Sequence, residues 1–251
     1  MGGFRTLLFK EVLRFWKVSF QTVLAPLVST LLYLLVFAQV MADHAEIYPG
    51  VPYAAFLIPG LVMMAMLQNA FANSSSSLVQ SKVTGNLVFV LLTPLSHGEF
   101  YWAYVLASVI RGALVGLVVF LSAWGFVAIP VREPFWALLF GVLATVMAGT
   151  LGVLAGIWAE KFDQMAAWQN FVVLPLTFLS GAFYTLHSLP PFWEALSRFN
   201  PFFYAIDGFR YGFLGSSDVS PWQSLLIVGG TCFALSWTTL ALLRKGWRLR
   251  T

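Results

Sequence analysis

Few residues in this chain could do chemistry, and most of them stand apart from one another. Asp207 and Arg210 are three residues apart, a spacing that brings an acid and a base onto one face of a helix. A structural ion pair between them is a simpler interpretation than a substrate site. Arg111 stands about eleven residues inside an apolar block, where an ionisable side chain is costly and therefore a functional candidate. It could contact an anionic head group or phosphate, or it could snorkel toward the cytoplasm or form a fixed ion pair.

No pattern typical of catalysis is present in the sequence. The three histidines lie in separate predicted loops, and no carboxylate pair, activated serine or paired metal ligands occur on one predicted helix. We therefore expect a protein that is not an enzyme and holds no metal. A Gly-x-x-x-x-Gly-Lys-Ser/Thr loop, which would hold the phosphates of ATP, is also absent. No cofactor is expected on this chain.

Residues 185–212 are rich in aromatic side chains but contain three prolines, two acids and two arginines. This segment is too polar and too interrupted to cross a bilayer as one helix, and too apolar for a free loop. Broken backbone at membrane depth is tolerated only against protein or a water-filled cavity. The sequence therefore predicts a pair of short external helices, re-entrant or interfacial.

Residues 85–94 form a second unusual stretch. Gly85 interrupts a helical pattern, residues 87–92 are apolar, and Pro94 stops the segment. Six apolar residues are too few to span a membrane. They could dock into a groove of a cytoplasmic partner, or they could form a buried connector between two helices.

The composition indicates the elements that position these residues. Hydrophobic residues make up 59% of the chain, charged residues 10%, and the mean hydropathy is +0.82, whereas soluble domains are about 25% charged. Six apolar blocks have the length that crosses roughly 30 Å of hydrocarbon. They are residues 20–41, 53–72, 100–126, 135–158, 165–184 and 222–243. The predicted fold class is an all-α membrane protein with one transmembrane domain over residues 1–251.

The N-terminal residues 1–18 show an amphipathic helical pattern. Apolar residues recur at helical spacing, and basic residues fall largely on the other side. The apolar set is Phe4, Leu7, Leu8, Val12 and Phe15, and the basic set is Arg5, Lys10, Arg14 and Lys17. The pattern predicts a helix lying on the membrane surface. A plain extension of the first span is the alternative.

The basic residues predict the orientation. With the N-terminus inside, ten lie on inside segments and three on outside segments, in agreement with the positive-inside rule. The ten are Arg5, Lys10, Arg14, Lys17, Lys82, Lys161, Arg244, Lys245, Arg248 and Arg250, and the three are Arg132, Arg198 and Arg210. We expect a multi-pass protein of the inner or plasma membrane with both termini cytoplasmic and residues 185–212 outside.

Two motifs then carry a resemblance that covers essentially the whole chain. Residues 85–94, and the run from Leu189-Pro190 through Asn200-Pro201 to Asp207 and Arg210, resemble the ABC-2 type transporter permeases. The similarity is greatest to short six-helix exporter subunits, such as polysaccharide and nodulation-factor exporter permeases. It implies an interfacial helix, a cytoplasmic coupling helix at residues 85–94 and paired external helices. Many members carry an acid three residues after the coupling-loop glycine, where this chain has Val88.

The resemblance also implies partners and residue roles. A separate ABC ATPase subunit would hold ATP and Mg. Two permeases would assemble with two ATPases. The other partners would be membrane lipids, and no nucleic acid is expected to bind. ATPase coupling would use Gly85, Leu87, Val88, Leu91, Leu92 and Pro94. An external gate would use Pro190, Pro191, Asn200, Pro201, Asp207 and Arg210. From the residues themselves rather than the resemblance, a possible substrate path would include Arg111, Phe183 and Tyr184.

The implied function is outward movement of a lipid-linked, saccharide or other amphipathic substrate. Aromatic residues near the exit could stack on sugars or hold acyl chains, or they could form an interfacial belt. The alternative function is a secondary transporter or channel that ATP does not drive. Such a protein is expected to hold ionisable residues at the membrane midplane. The predicted spans are nearly free of them, which favours the ATP-driven class.

Overall fold

The computed structural model describes residues 2–40, 51–127 and 129–247. Arg248, Arg250 and residue 41, the predicted end of the first block, lie outside the described residues. Within those ranges all regular elements are helices, as the all-α prediction requires. The helices are α1 Gly3–Trp16, α2 Ser19–Val40, α3 Tyr53–Val83, α4 Leu87–Leu91, α5 His97–Trp124, α6 Pro134–Trp158, α7 Phe162–Trp168, α8 Leu174–Phe178, α9 Pro191–Arg198, α10 Pro201–Leu214 and α11 Pro221–Lys245.

Five of these helices are long and apolar enough to cross a membrane: α2, α3, α5, α6 and α11. They correspond to the first four predicted blocks and the sixth. The fifth block, residues 165–184, forms a composite helix in which a π-helical turn, Gln169–Val173, joins α7 to α8. The composite helix covers residues 162–178, about 26 Å at 1.5 Å per residue. The count of six spans therefore stays a prediction.

The second block extends further than its hydropathy indicates. The sequence predicts an end at residue 72, whereas α3 continues to Val83 through a run of serines. These serines do not leave the helix because backbone oxygens satisfy their hydroxyls inside the bundle. Ser74 Oγ donates to the Gly149 carbonyl oxygen of α6 at 2.7 Å, and Ser75 Oγ donates to the Phe71 carbonyl oxygen at 2.8 Å. The predicted boundary is corrected by 11 residues.

Helix α3 forms the centre of the bundle, with α5, α6 and α10 packed around it. Helix α3 is also much more buried than the outer helices. In the most apolar window of α3, 89% of the residues are buried, against 11% for α2 and 17% for α11. Few side chains of α2 and α11 are therefore buried against the rest of the chain.

Helix α1 is a separate element, because Lys17 and Val18 form a turn before α2 begins. An uninterrupted extension of the first span is therefore excluded. Leu7 and Phe15 are buried against the rest of the chain, and the position of α1 on a membrane surface stays a prediction. Arg14, predicted on the outer face with the other basic residues, instead turns inward and hydrogen-bonds to α3.

The bundle has two ends. The basal end carries α1, α4 and the C-terminus of α11, and the distal end carries α9, α10 and the start of α3. The 3₁₀ turn Leu186–Ser188 also lies at the distal end, where Asp218 accepts a hydrogen bond from the Leu186 backbone N–H at 2.6 Å.

Candidate functional site

The coupling segment, residues 85–94, begins where α3 ends. Gly85 has φ +72°, a left-handed conformation that glycine adopts without steric cost, and it redirects the chain into α4. Leu87 is buried in an apolar cluster with Leu7, Phe100 and Leu243. The segment is therefore held by α1, α5 and α11 together, and it is shorter as a helix than its predicted ten-residue extent because α4 ends at Leu91.

The other side of this segment is open. We name its exposed apolar side chains the coupling face: Val88, Phe89, Leu91 and Leu92, with 53%, 70%, 42% and 76% of their surfaces exposed. A connector buried between two helices would not show such exposure. Of the two interpretations of residues 85–94, the structure favours an exposed apolar surface at the basal end.

The structure around the coupling face holds it in position. Ser96 caps α5 by accepting from the Glu99 backbone N–H, while the Glu99 carboxylate accepts from the Ser96 N–H at 2.8 Å. This capping box defines where the coupling segment joins α5. Val88, Leu91 and Leu92 of the coupling face also border a cavity of about 430 Å³. Leu243 and Arg244 at the end of α11 form its far wall, so the coupling segment borders space into which it can move.

At the distal end, the predicted prolines begin helices. Pro190 precedes α9, Pro191 is its first residue, and Pro201 is the first residue of α10. Proline suits the first helical position because its missing N–H would be unpaired there anyway. Asn200 joins α9 and α10 to α8. Its Oδ1 accepts from the Phe202 N–H at 3.0 Å. Its Nδ2 donates to the carbonyl oxygens of Leu176 and Leu179 at 2.7 and 3.0 Å.

Asp207 and Arg210 do not form the predicted ion pair, because each has a different partner. Both oxygens of the Asp207 carboxylate accept backbone N–H groups, from Asp218 at 2.9 Å and Val219 at 3.0 Å. Burial raises the pKa of Asp207 to about 6, and the nearby guanidinium of Arg210 and these N–H groups oppose the rise. Asp207 therefore anchors the turn after α10.

Arg210 is fully buried and holds a different part of the distal end. Its Nη2 donates to the Gly181 carbonyl oxygen at 2.6 Å, and its guanidinium lies 3.9 Å from the centre of the Phe56 ring. Arg210 thus joins α10 to the turn after α8 and to the start of α3. Asn200, Asp207 and Arg210 together connect α8, α10 and the α10–α11 turn into one unit.

Arg111 lies in the middle of α5, buried, with its Nη2 donating to Asn69 Oδ1 of α3 at 3.1 Å. It lines a cavity of about 410 Å³ between α2, α3, α5 and the composite helix, which we name the Arg111 cavity. Its described partner is an amide rather than an acid.

Phe183 packs against two aromatic residues that line this cavity, whereas Tyr184 is joined to it only by a hydrogen bond to the backbone of Phe178. Tyr33 and Phe178 line the cavity, and the ring of Phe183 lies 5.6 Å from Tyr33 and 6.2 Å from Phe178. Phe37 joins the group at 5.4 Å from Phe183. The Tyr184 hydroxyl donates to the Phe178 carbonyl oxygen at 3.2 Å. An aromatic wall therefore leads from the Arg111 cavity to the distal segment.

Two features were missed at the sequence level. Arg14 Nη2 donates to the Asn73 carbonyl oxygen at 2.7 Å and to its Oδ1 at 3.0 Å, and Ser77 Oγ donates to Glu11 Oε2 at 2.6 Å. The signal was Glu11 itself, an acid placed between Leu7 and Phe15 on the apolar face. The second feature is the π-helical turn at Gln169, for which the polar pair Gln169-Asn170 inside the fifth block was the signal.

Residues 2–214 match the family described as ABC-2 type transporter. The chain is 38% identical over 210 residues to the inner membrane transport permease YadH of Escherichia coli (strain K12), covering 84% of this chain and 82% of YadH. It is 25% identical over 244 residues to nodulation protein J of Rhizobium meliloti (strain 1021), covering 94% and 90% of the two proteins. It is also 25% identical over 201 residues to the capsule polysaccharide export inner-membrane protein BexB of Haemophilus influenzae, covering 78% and 71%.

Proposed function

Because the chain belongs to the ABC-2 type transporter family, we propose that it is the permease subunit of an ATP-driven exporter. Family membership makes it a membrane subunit of an ABC transporter and a multi-pass inner-membrane protein. Export, the drive by ATP and the nature of the substrate are the proposed part. The relative BexB, a capsule polysaccharide export protein, supports the outward direction.

The coupling face is the observation that carries the proposal. Four apolar side chains stand exposed at the basal end, on a segment held from behind by α1, α5 and α11. Burying a large apolar side chain contributes roughly 1.5–3 kcal/mol, so an exposed group of four favours a partner that covers it. An ABC ATPase is the partner that the family implies in general. ATP and Mg would be bound on that subunit, and two permeases would assemble with two ATPases.

The coupling route follows from what the segment contacts. When the ATPases approach each other on binding ATP, a load on the coupling face would reach α5 through the capping box and α11 through Leu87. The cavity between the coupling segment and the end of α11 leaves room for that displacement. Asn200, Asp207 and Arg210 would hold the distal helices as one body, so a change at the basal end would move the external gate as a unit.

The substrate is proposed to be a lipid-linked, saccharide or other amphipathic molecule. The Arg111 cavity and the aromatic wall formed by Tyr33, Phe178 and Phe183 support this class, because they place polar and aromatic surfaces side by side. A secondary transporter is the competing function. One buried cation in the described spans does not supply the acid-base pairs of a proton relay.

The test is recovery of the ATPase with the tagged permease. Leu91→Glu combined with Leu92→Glu should reduce recovery at least about tenfold, because two charges replace apolar contacts worth roughly 1.5–3 kcal/mol each. Membrane insertion, measured in parallel, should be unchanged because both side chains are exposed. The matched control is Leu196→Glu with Phe199→Glu, two exposed apolar residues of the distal end, which should retain full recovery.

Two outcomes would contradict the proposal. If no ABC ATPase is recovered with the wild-type permease, the drive by ATP is wrong. If the Leu91/Leu92 double variant inserts and recovers as much ATPase as the wild type, the coupling face is not the docking surface.

A further inference from the structure

Arg111 is an unusually placed cation for a membrane helix. It stands about midway along α5, and 8% of its surface is exposed. A charged side chain at this depth is costly, and such residues pair with acids, backbone carbonyls or water-filled cavities. The described partner of Arg111 is the neutral amide of Asn69, which accepts a single hydrogen bond at 3.1 Å.

Part of the guanidinium has no protein partner. Arg111 Nε is buried and makes no hydrogen bond within the described chain. The residues that line the Arg111 cavity include no aspartate or glutamate, so no carboxylate of that lining balances the charge. Asn69 is itself held, because its Nδ2 donates to the Ala65 carbonyl oxygen at 3.0 Å, which leaves Oδ1 directed at the arginine. Asn69 therefore holds the guanidinium in place, while N–H groups of the guanidinium remain that make no hydrogen bond to the described chain.

Apart from Arg111, the polar side chains that line the Arg111 cavity are neutral. Its neutral polar side chains come from α2, α3 and the π-helical turn, which places Gln169 in the lining. They include Gln21, Thr22, Ser29, Thr30, Gln68 and Gln169. Amides and hydroxyls donate and accept hydrogen bonds, which suits an anion that carries further polar groups. The volume of about 410 Å³ is sufficient for a head group but not for a long chain.

Apolar surface forms part of this cavity and also lies on the other side of α2. Met64, Leu174 and Phe178 form part of its lining, and the aromatic wall begins at Tyr33. On the opposite face of α2, a separate apolar groove of about 390 Å³ runs along Phe20, Leu24 and Leu27. Leu114 of α5, one helical turn from Arg111, lies in that groove. A cation in a polar cavity that also has apolar and aromatic walls matches the head and tail of an amphiphile.

We propose that Arg111 binds an oxyanion, a phosphate ester or carboxylate, on the head group of an amphiphilic substrate. Nη2 stays with Asn69 while the remaining donors of the guanidinium contact the anion. The neutral lining of the cavity contacts the rest of the head group. This inference rests on the proposed transport function, since it assigns a substrate class to the same permease.

Dodecyl phosphate is the probe, and the full-length permease purified in the neutral detergent dodecyl maltoside is the sample. Binding is followed by the rise in unfolding temperature as the probe is titrated. Arg111→Gln should weaken binding at least about tenfold, the loss expected for one charge-assisted hydrogen bond. Arg111→Lys should bind with intermediate affinity, because it keeps the charge but not the fork of donors.

A second variant leaves the arginine in place. Ser29 lines the cavity from α2 and is exposed, so Ser29→Trp should fill the cavity and lower affinity for dodecyl phosphate without disturbing Arg111. The control is Arg5→Gln, which removes one exposed cation from α1 and should bind like the wild type. This control separates the cavity from general attraction of the probe to basic surface.

Unchanged affinity in both Arg111→Gln and Ser29→Trp would overturn the proposal. Inorganic phosphate binding as tightly as dodecyl phosphate would overturn the assignment to an amphiphile. ATPase recovery on the same variants separates the two proposals: Arg111→Gln should recover the ATPase fully. If Arg111→Gln loses dodecyl phosphate binding but recovers the ATPase normally, the oxyanion site is supported independently of ATPase docking.

Discussion

The carboxylate of Glu11 shows what single polar residues do in this bundle. It is fully buried at the junction of α1 and α3, where Ser77 donates to it and Arg14 lies 3.4 Å away. Taking a carboxylate out of water is expensive unless a cation and hydrogen bonds compensate. Arg14 and Lys10, whose Nζ lies 3.4 Å from the other Glu11 oxygen, compensate together. Arg14 also binds both oxygens of Asn73, so its side chain joins α1 to α3.

Removing Arg14 should therefore loosen α1. Arg14→Ala is expected to lower the free energy of unfolding by about 1–3 kcal/mol, because it leaves a buried carboxylate under-compensated. It should also speed trypsin cleavage at Lys10 and Lys17. Arg5→Ala, a change of the same kind on an exposed position of the same helix, should alter stability by less than about 0.5 kcal/mol. Equal stability of the two variants in thermal unfolding would contradict the role given to Arg14.

Close approach between helices is the main feature at the scale of the elements. Helix α6 meets α3 at Gly152, where a Cβ atom would collide with Ser74 Oγ and the Phe71 carbonyl oxygen. It meets α10 at Gly212, where a Cβ would lie 2.5 Å from the backbone nitrogen of Ala137. Small residues let membrane helices approach until backbones touch, which is the main source of attraction where lipid is as apolar as protein.

Substitution at one of these glycines tests that packing. Gly152→Ala should destabilise the bundle by about 1–3 kcal/mol, because the new methyl group meets backbone that cannot move aside. Gly229→Ala is the matched control on α11, since no atom lies within 4 Å of a Cβ there. It should be neutral or stabilising by up to about 1 kcal/mol. Thermal unfolding of both variants in one detergent provides the comparison, and an unaffected Gly152→Ala would disprove tight α3–α6 packing.

The molecule as a whole is asymmetric in charge between its two ends. Lys82, at the basal end of α3, donates to the carbonyl oxygens of Ile157 and Ala159, and Arg244 lines the basal cavity. At the distal end, Arg132 lies beside Gly215, and Arg198 is paired with Glu194 at 2.7 Å. Most of the described basic side chains therefore gather with α1, which supports a cytoplasmic basal end.

Topology reporters test this orientation. A reporter fused after residue 250 should behave as cytoplasmic, and one inserted near residue 216, between α10 and α11, should behave as external. The positive-inside rule is the physical reason, because basic segments are retained on the cytoplasmic side. Expression of both fusions is the control, checked by immunoblot. A reversed pattern would mean that the coupling face is external and cannot meet an ATPase.

Much of this architecture could be read from local sequence. Mean hydropathy and block length identified five helices that could span a membrane, and apolar periodicity identified α1. Glycine and proline chemistry identified the breaks around residues 85–94 and 190–201, because these residues restrict or free the backbone wherever they stand. Arg111 was recognised from depth alone, since a cation inside an apolar block is conspicuous without any knowledge of its neighbours.

The partners of these residues were decided by the tertiary structure. Asp207 was expected beside Arg210 on one helix face, but it binds the turn at residues 218–219, while Arg210 turns to Gly181. The second block was predicted to end before the serine run because hydropathy counts hydroxyls as polar, whereas Ser74 has an acceptor on α6. Hydropathy and periodicity are properties of neighbours along the chain. Buried polar groups are satisfied by whichever donor or acceptor the packing of distant helices brings within about 3 Å, and that packing depends on the whole fold.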